Sequence, residues 1–428
     1  TSAPSTATRP RSAARGHRRG WGLVVAGALL VVAALRLEQR DMLRVGVLLV
    51  AVPLVALALT TRARSSLTLR QRSRSLTITA GQRGAVGLTV HCTTSPRGVR
   101  LWLEDAVPFV LGAAPRLPVP PLEPGQSLDL RYSVSSDVRG SYRVGPAVLR
   151  IGDPLGLCDV RRALGGRTVV DVLPPVHPLP AADLGRRGGT GGTSARSTAT
   201  SSEADDVALR QYRPGDDLRR VHWRSTARRG EVMVRSDERG GEEDVILLVD
   251  RRAGAHAGRG IASSLEWTVT AAASIGTHLL RRGHPVRLLH GGSPERSWHP
   301  SLPVEAQVQG LLHELAALAP GPDDDLRQSV RGLGRSAPGM LVALLGAVDE
   351  EDVLPLLAAR DRSTSALAVV QRTRLWVRTA APADEAAAQR AELLLAGAGW
   401  STTAAGPGDD IDRVWAQLAR AAAVGRTR

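Results

Sequence analysis

Two apolar runs, Trp21 to Leu37 and Met42 to Leu59, dominate the N-terminal part of the chain, the second interrupted by Arg44 near its start and by Pro53. Each is about as long as a helix must be to cross a hydrocarbon core, at the short end of that range. Together they predict a two-helix transmembrane hairpin over residues 21–61. From Ser66 to Arg162 the pattern becomes short alternations: LTLRQRS, LTITAG, AVGLTVHC, VRLWLED, LDLRYSVS and AVLRIGD, parted by Gly, Pro and Ser turns. Alternation at that spacing predicts an all-β sandwich-like domain over 62–165. Within it, APRLPVPPLEPG, with prolines at 115, 118, 120, 121 and 124, reads as an extended, exposed loop. RGSYRVGP, from Arg139 to Pro146, reads as a turn, a strand and a corner. VVDVLPPVHPL (Val169 to Leu179) reads as a strand running into a proline-stiffened connector. Ala181 to Ala204 lacks apolar periodicity, so 166–204 is assigned as connector and flexible loop.

The period changes again after Glu243. Strands are predicted at 245–250, 286–289, 340–345 and 366–370, with a weak one after Trp400. Helices are predicted at 263–282, 304–318, 353–360, 383–396 and 411–422. Strands alternating with helices imply a mainly parallel sheet covered on both faces, an α/β doubly wound domain. The segment before it, Leu209 to Asp250, is the least generic stretch of the chain. Pro214-Gly215 is a turn dipeptide, and Asp216 and Asp217 sit where an N-cap and first helical turn favour negative charge. A short helix should follow and end near Gly230, with Leu218, Val221 and His222 on one face. Val232 and Val234 then alternate as in a half-buried strand. These elements place the last domain at 205–428.

Charge refines the picture. The chain has 428 residues and a formal charge of +15, with 56 basic and 41 acidic side chains; there is no Lys and no Asn. All the basic residues are therefore Arg, a bias of composition and not a sign of phosphate recognition. Residues 1–74 carry a local +11 and the other 354 only +4. The excess thus flanks the apolar runs, as membrane orientation requires, and does not mark a duplex-binding module. Five Arg precede the first run, and Arg62, Arg64, Arg70, Arg72 and Arg74 follow the second. This places both termini and the soluble domains in the cytoplasm of a multi-pass cell-membrane protein. A cleaved signal peptide is the rival reading of the N-terminus, and a second apolar run directly after the first argues against it. Residues 1–20, polar and basic, are expected to be disordered. The two cysteines, Cys92 and Cys158, read as buried and reduced.

The signature stretch resembles that of a large bacterial family catalogued as a domain of unknown function, number fifty-eight. The matching residues are Leu209, Tyr212, Pro214, Gly215, Asp216, Asp217, Arg219, Val221, Trp223, Ala227, Arg228 and Val234-Arg235, with a second match in RGSYRVGP and in GDPLGL (Gly152 to Leu157). The resemblance implies a membrane hairpin and a β-rich domain ahead of the signature, and a C-terminal domain similar to von Willebrand factor type A domains. It further implies a MoxR-type AAA+ ATPase as partner.

Three candidate chemistries remain. The metal site that type A domains often carry needs Asp-x-Ser-x-Ser after the first strand, because a hard divalent cation wants several oxygen ligands. Here the chain reads Asp250-Arg251-Arg252-Ala253-Gly254. Both serines are absent, so Asp250 is a degenerate metal-site position, expected to hold no metal and to pair with Arg instead; Asp349, after another strand, is placed at the same edge. Asp216, Asp217 and His222 form an acid–base set on the alternative reading, a membrane-tethered hydrolase. Their plainer roles are a cap and a helix-face contact. Arg210, Arg213, Arg219, Arg220, Arg224, Arg228 and Arg229, interleaved with Tyr212 and Trp223, offer a nucleic-acid surface. Nine Arg against seven acids over 205–239 favour an ion-pair network or protein-binding face, so no nucleic acid is expected. No phosphate-binding loop or dinucleotide fingerprint occurs, and no cofactor is expected. The expected function is therefore non-enzymatic: a scaffold or adaptor held to the bilayer by two helices, with Tyr212, Pro214, Gly215, Asp216, Asp217, Arg219, His222, Trp223 and Arg228 as its interaction surface.

Overall fold

The computed structural model describes residues 13–16, 18–63, 67–95, 98–181, 209–211, 226, 231–235, 244–291, 296–298, 301–332, 339–360, 365–377 and 382–424. They fall into two compact units, residues 1–174 and 175–428.

The first unit opens with β1 (Ala13–Gly16), then α1 (Arg18–Arg36) and α2 (Arg40–Arg62). Both helices are long and apolar enough to cross a membrane. They pack as a close antiparallel pair because glycines face each other. A Cβ on Gly27 would lie 2.9 Å from Gly46 O, and one on Gly46 would lie 2.8 Å from the Val31 side chain. Small residues at such a crossing let the two backbones approach closely.

Ten strands follow: β2 (Leu67–Arg72), β3 (Ser75–Thr79), β4 (Arg83–Cys92), β5 (Arg100–Asp105), β6 (Arg116–Val119), β7 (Ser127–Ser135), β8 (Gly140–Val144), β9 (Ala147–Gly152), β10 (Cys158–Leu164) and β11 (Thr168–Leu173). They form three sheets, ordered β1-β10-β9-β5-β6, β3-β11-β8 and β2-β4-β7. Alternation decides which side chains go inward: Val86, Leu88 and Val90 of β4 and Leu149 and Ile151 of β9 are buried, while their neighbours are less so. All three sheets contribute to one core.

A buried polar network ties the sheets together. Arg72 donates to both oxygens of Asp105 (2.8 and 3.3 Å) and to Thr168 Oγ1 (2.8 Å). Tyr132 donates to the same carboxylate, and Thr168 passes the chain of bonds on to Ser73 O.

Two findings in this unit differ from the sequence reading. Ala13–Gly16, in the segment expected to be disordered, pairs antiparallel with β10 from Ala13↔Arg161 to Gly16↔Cys158. The proline-rich stretch is not wholly loop: Arg116–Val119 adds to β5 as an edge strand, a place where Pro118 costs no interior ladder bond. Thr168–Leu173 is a strand between β3 and β8, in line with the strand read from Val169 onward, so the strand-bearing unit runs on past residue 165. In RGSYRVGP the corner falls at Gly145, at φ 101°. A Cβ there would meet Gly166 O at 2.8 Å and the Arg72 guanidinium at 2.9 Å.

The second unit contains β12 (Leu209–Gln211), β13 (Met233–Arg235), β14 (Val245–Val249), α3 (Ser264–Arg281), β15 (Val286–Leu289), β16 (Arg296–Ser297), α4 (Val304–Ala317), α5 (Asp325–Gly332), β17 (Met340–Leu345), α6 (Glu350–Arg360), β18 (Ser365–Gln371), α7 (Pro382–Gly397), β19 (Ser401–Ala405) and α8 (Ile411–Val424). Its main sheet runs β16-β15-β14-β17-β18-β19, parallel throughout except for β16. Every residue of β14 and β17 is buried, as in strands covered on both sides. The two faces have different partners. Ile246 and Leu248 share a core with Leu326 of α5, Leu356 of α6 and Leu395 of α7. Leu247 points the other way, close to Gly276 of α3, against which Leu311 of α4 also packs. Trp415 of α8 meets His278 of α3 edge-on, ring centroids 5.8 Å apart. Ser263 caps α3 by accepting from Glu266 N. The extended-chain segment from 175 to 181, which has no regular secondary structure, is held to this unit, with His177 N donating to Ser274 Oγ and Pro180 O accepting from Trp415 Nε1.

Candidate functional site

The order of the main sheet creates its own cleft. The chain leaves β14 for β15 on one side, then returns past β14 to β17 on the other, so β14 and β17 diverge in their connections at their carboxyl ends. In open α/β sheets ligands settle at such a reversal. Asp250 follows β14 directly and lies there, only 1% exposed.

Its surroundings leave no room for an ion. Asp250 Oδ1 accepts from Arg252 N and Nε (3.1 and 3.0 Å), and Oδ2 accepts from Arg252 Nη2 and Gly346 N (2.9 and 3.1 Å). Arg252 also donates to Asp352 Oδ2 at 2.7 Å and to Ala347 O at 3.1 Å. One guanidinium is thus held by two carboxylates and the backbone end of β17. A divalent cation needs oxygen lone pairs and negative charge; here four N–H groups already occupy the Asp250 oxygens, and the nearest charge is positive. The donor set does not fit a metal. Among the described residues no group of three or more His, Cys, Asp and Glu is spaced to hold one.

The loop after Asp250 is sewn down over this edge. Ala253 N donates to Gly321 O and Gly321 N to Arg251 O, while Ala347 N donates to Ala255 O. The last contact requires Gly346, since a Cβ there would lie 2.3 Å from Ala255 O. His256 Nε2 lies 2.8 Å from Asp250 O, a pure acceptor, so Nε2 carries the proton and Nδ1 accepts from Ser264 Oγ at 2.9 Å. Burial holds the imidazole pKa below its ordinary value, against the pull of the Asp250 backbone and charge. The same effect pushes the Asp352 carboxyl up, against the pull of Arg252. Ser264 is fully buried, so this hydroxyl–imidazole pair supports the loop and does not present a nucleophile.

Of the residues singled out from sequence, Asp250 lies in this cluster and pairs with Arg. Asp349 is at the same edge but caps α6, accepting from Asp352 N, while Asp349 N donates back to Asp352. Tyr212, Pro214, Gly215, Asp216, Asp217, Arg219, His222, Trp223 and Arg228 lie outside the described residues. What is described of their segment is its base: β12 and β13 pair antiparallel, Leu209↔Arg235 to Gln211↔Met233, bringing the two ends of the signature together. Sequence reasoning missed Asp352. Its one cue was the spacing Asp349-x-x-Asp352 before an apolar helix face, a capping pattern that says nothing about Asp250.

Fold and cluster together define a class: a mixed, mainly parallel α/β sheet whose reversal point is closed by an internal ion cluster, preceded by strands and two apolar helices. Residues 208–370 match the family described as Protein of unknown function DUF58, a span from the signature to β18. Over 248 residues the chain is 25% identical to an uncharacterized protein of Bacillus subtilis (strain 168), YeaD, covering 56% of this chain and 58% of that relative. Among solved structures, superoxide reductase (neelaredoxin) from Ignicoccus hospitalis aligns at 12% identity over 26% of this chain and 85% of that one, TM-score 0.15. A Niemann-Pick type C2 protein from the Japanese carpenter ant aligns at 8% identity over 25% and 90%, TM-score 0.13. At those scores neither bears on fold or function.

Proposed function

We propose that this chain is a membrane-anchored protein-interaction scaffold or adaptor. Its α1–α2 hairpin crosses the cell membrane, a β-sandwich-like domain follows, and the C-terminal unit is a doubly wound, von Willebrand factor type A-like module. The observation that carries the reading is the Asp250–Arg252–Asp352 cluster, in which a side-chain cation occupies the place where such a module would bind its ion. The module then engages a partner without metal. Exposed apolar side chains on loops leaving the carboxyl ends of β14 and β18, Ile261, Leu375 and Val377, support a protein partner at this edge.

The family resemblance supplies the partner's identity, a MoxR-type AAA+ ATPase, and the process, assembly of membrane or envelope complexes. One feature favours a cytoplasmic orientation, and a second favours both outer ends of the hairpin lying on one side. Arginine flanks both outer ends of the hairpin, and β1, ahead of α1, pairs with β10, beyond α2, so both ends of the hairpin reach the same sheet.

The test is recovery of partners from detergent-solubilised membranes with the tagged full chain. An AAA+ ATPase should co-purify, and Ile261→Asp with Leu375→Asp should reduce its yield several-fold while the chain stays folded. Preparations that never contain an AAA+ ATPase would remove that partner. Stoichiometric binding of Mg2+ or Mn2+ by the second unit would remove the ion-free module.

A further inference from the structure

The GDPLGL motif links β9 to β10, and the function proposed above gives it no part. Its geometry is that of a built projection. Asp153 is buried and its carboxylate accepts from Leu155 N at 3.0 Å and Cys158 N at 2.6 Å, while Gly156 N closes on Asp153 O. Gly156 takes φ 70°, so the turn needs the residue that is there. At the base of the turn, Leu157 and Cys158 bury themselves against Leu23 of α1 and Val52 and Ala56 of α2. A Cβ on Gly20 would meet Leu157 O at 2.8 Å, so α1 lies directly on the turn. The tip is Pro154, Leu155 and Gly156, all exposed and uncharged, with Leu155 64% exposed.

The depth of this contact matters. Leu23 lies four residues inside Arg19, and Ala56 six residues inside Arg62. At 1.5 Å per residue the turn therefore docks about 6–9 Å membrane-ward of the flanking arginines. On both sides of this level the hairpin remains apolar and open: Trp21, Leu57 and Leu59 toward the arginines and Leu54 and Val55 away from them are exposed. Trp at such a position belongs at the headgroup level of a bilayer.

We infer that the Pro154–Gly156 tip inserts into the lipid headgroup–acyl boundary beside the hairpin, with Leu155 as its wedge. A lipid surface is the occupant because the exposed tip continues the apolar surface of α1 and α2, and burial of 5–10 Å is what apolar wedges at an interface achieve. The first unit is thereby seated on the membrane at a second point, fixed in rotation about the hairpin axis. The inference rests on the reading that the hairpin spans the bilayer.

It is tested on the full chain in phosphatidylcholine vesicles, with an NBD fluorophore on a cysteine placed at Leu155, at Leu48 in the exposed middle of α2, or at Phe109. Phe109, 92% exposed, follows the end of β5 that pairs with Ala147, away from the turn. Native Cys92 and Cys158 are buried, and the unsubstituted chain sets their labelling baseline. The expected result is blue-shifted emission at Leu155, quenching by shallow doxyl lipids, and an iodide quenching constant several-fold below that at Phe109. Leu155 behaving like Phe109 while Leu48 is quenched by lipid would overturn the wedge and leave the hairpin standing. Leu48 open to iodide would overturn both.

Discussion

Among the described residues, each unit holds a deeply buried arginine against carboxylate, and the two arginines differ in what they join. In the first unit Arg72 and Asp105, 5% and 0% exposed, join strands of two different sheets; Tyr132 adds a second bond from Arg72's sheet, and Thr168 extends the network to the third. Burial and the Asp105 carboxylate push the Tyr132 phenol well above its usual range, which keeps it a donor. Nothing in that position is a place for a ligand. In the second unit Arg252 is only two residues from Asp250 and reaches one distant carboxylate, Asp352, yet it sits at the reversal point of a mainly parallel sheet. Burial and pairing state what it costs to break a cluster. Topology states where in the sheet the cluster sits.

The comparison can be broken most forcefully at Asp105. Asp105→Asn leaves the Arg72 guanidinium buried without a counter-charge, and loss of one partner of a buried pair costs about 3–5 kcal/mol. Urea unfolding should show it, with faster hydrogen exchange in β2, β5 and β7; the double change Arg72→Met with Asp105→Leu should recover most of the loss. Arg252→Ser is the matching change in the second unit. It should cost somewhat less, about 2–3 kcal/mol, because the remaining carboxylates can take up a proton. It also returns a hydroxyl oxygen beside Asp250 and removes the cation. Mn2+ should then raise the Tm of the variant and leave that of the parent unchanged; an unresponsive variant would mean that removing the cation does not by itself make this edge a metal site.

The pH response of the second unit sharpens the contrast further. His256 has a folded-state pKa below its unfolded value near 6.5, so the unfolded chain binds more protons in that window. Its contribution is fully present above 6.5 and declines as pH falls toward the folded value. His278, lowered by burial and by Arg282 and His284, adds in the same direction. Asp352 runs oppositely: raised in the fold, it contributes stability below its ordinary carboxyl range that is lost as pH rises through the folded value. Between pH 7.5 and 5.5 the urea midpoint of the second unit should therefore fall, and His256→Gln should flatten the slope.

Smaller effects test what is merely local. Ser263→Ala removes the cap of α3 and should cost about 1 kcal/mol. Breaking the exposed Arg281–Glu305 pair should cost under about 0.5 kcal/mol, checked in the same titration.

Much of this was legible before any coordinates. The period of the apolar residues located β14, α3, β17, β18 and α8 to within two residues at each end, since strands and helices differ in which positions they bury. It also placed Asp250 at the end of the first strand of the sheet and, with both serines missing, pointed to arginine as its partner. Ala13–Gly16 was opaque because an edge strand of four small or polar residues has no pattern of its own; its pairing with residues 158–161 lies far off in the chain. Arg116–Val119 was masked by its prolines, and the role of Asp352 by a hundred intervening residues.

By itself, then, the order of residues determined the elements, the two apolar helices and the chemistry available at the end of β14. That information is local, set by backbone propensity and by which side of each element avoids water. Only the tertiary structure decided that Arg252 would be shared by Asp250 and Asp352, that the strand ahead of the hairpin would pair with β10, and that Leu155 would be left facing outward beside it. Those outcomes depend on distances between residues far apart in sequence, which packing alone brings within reach.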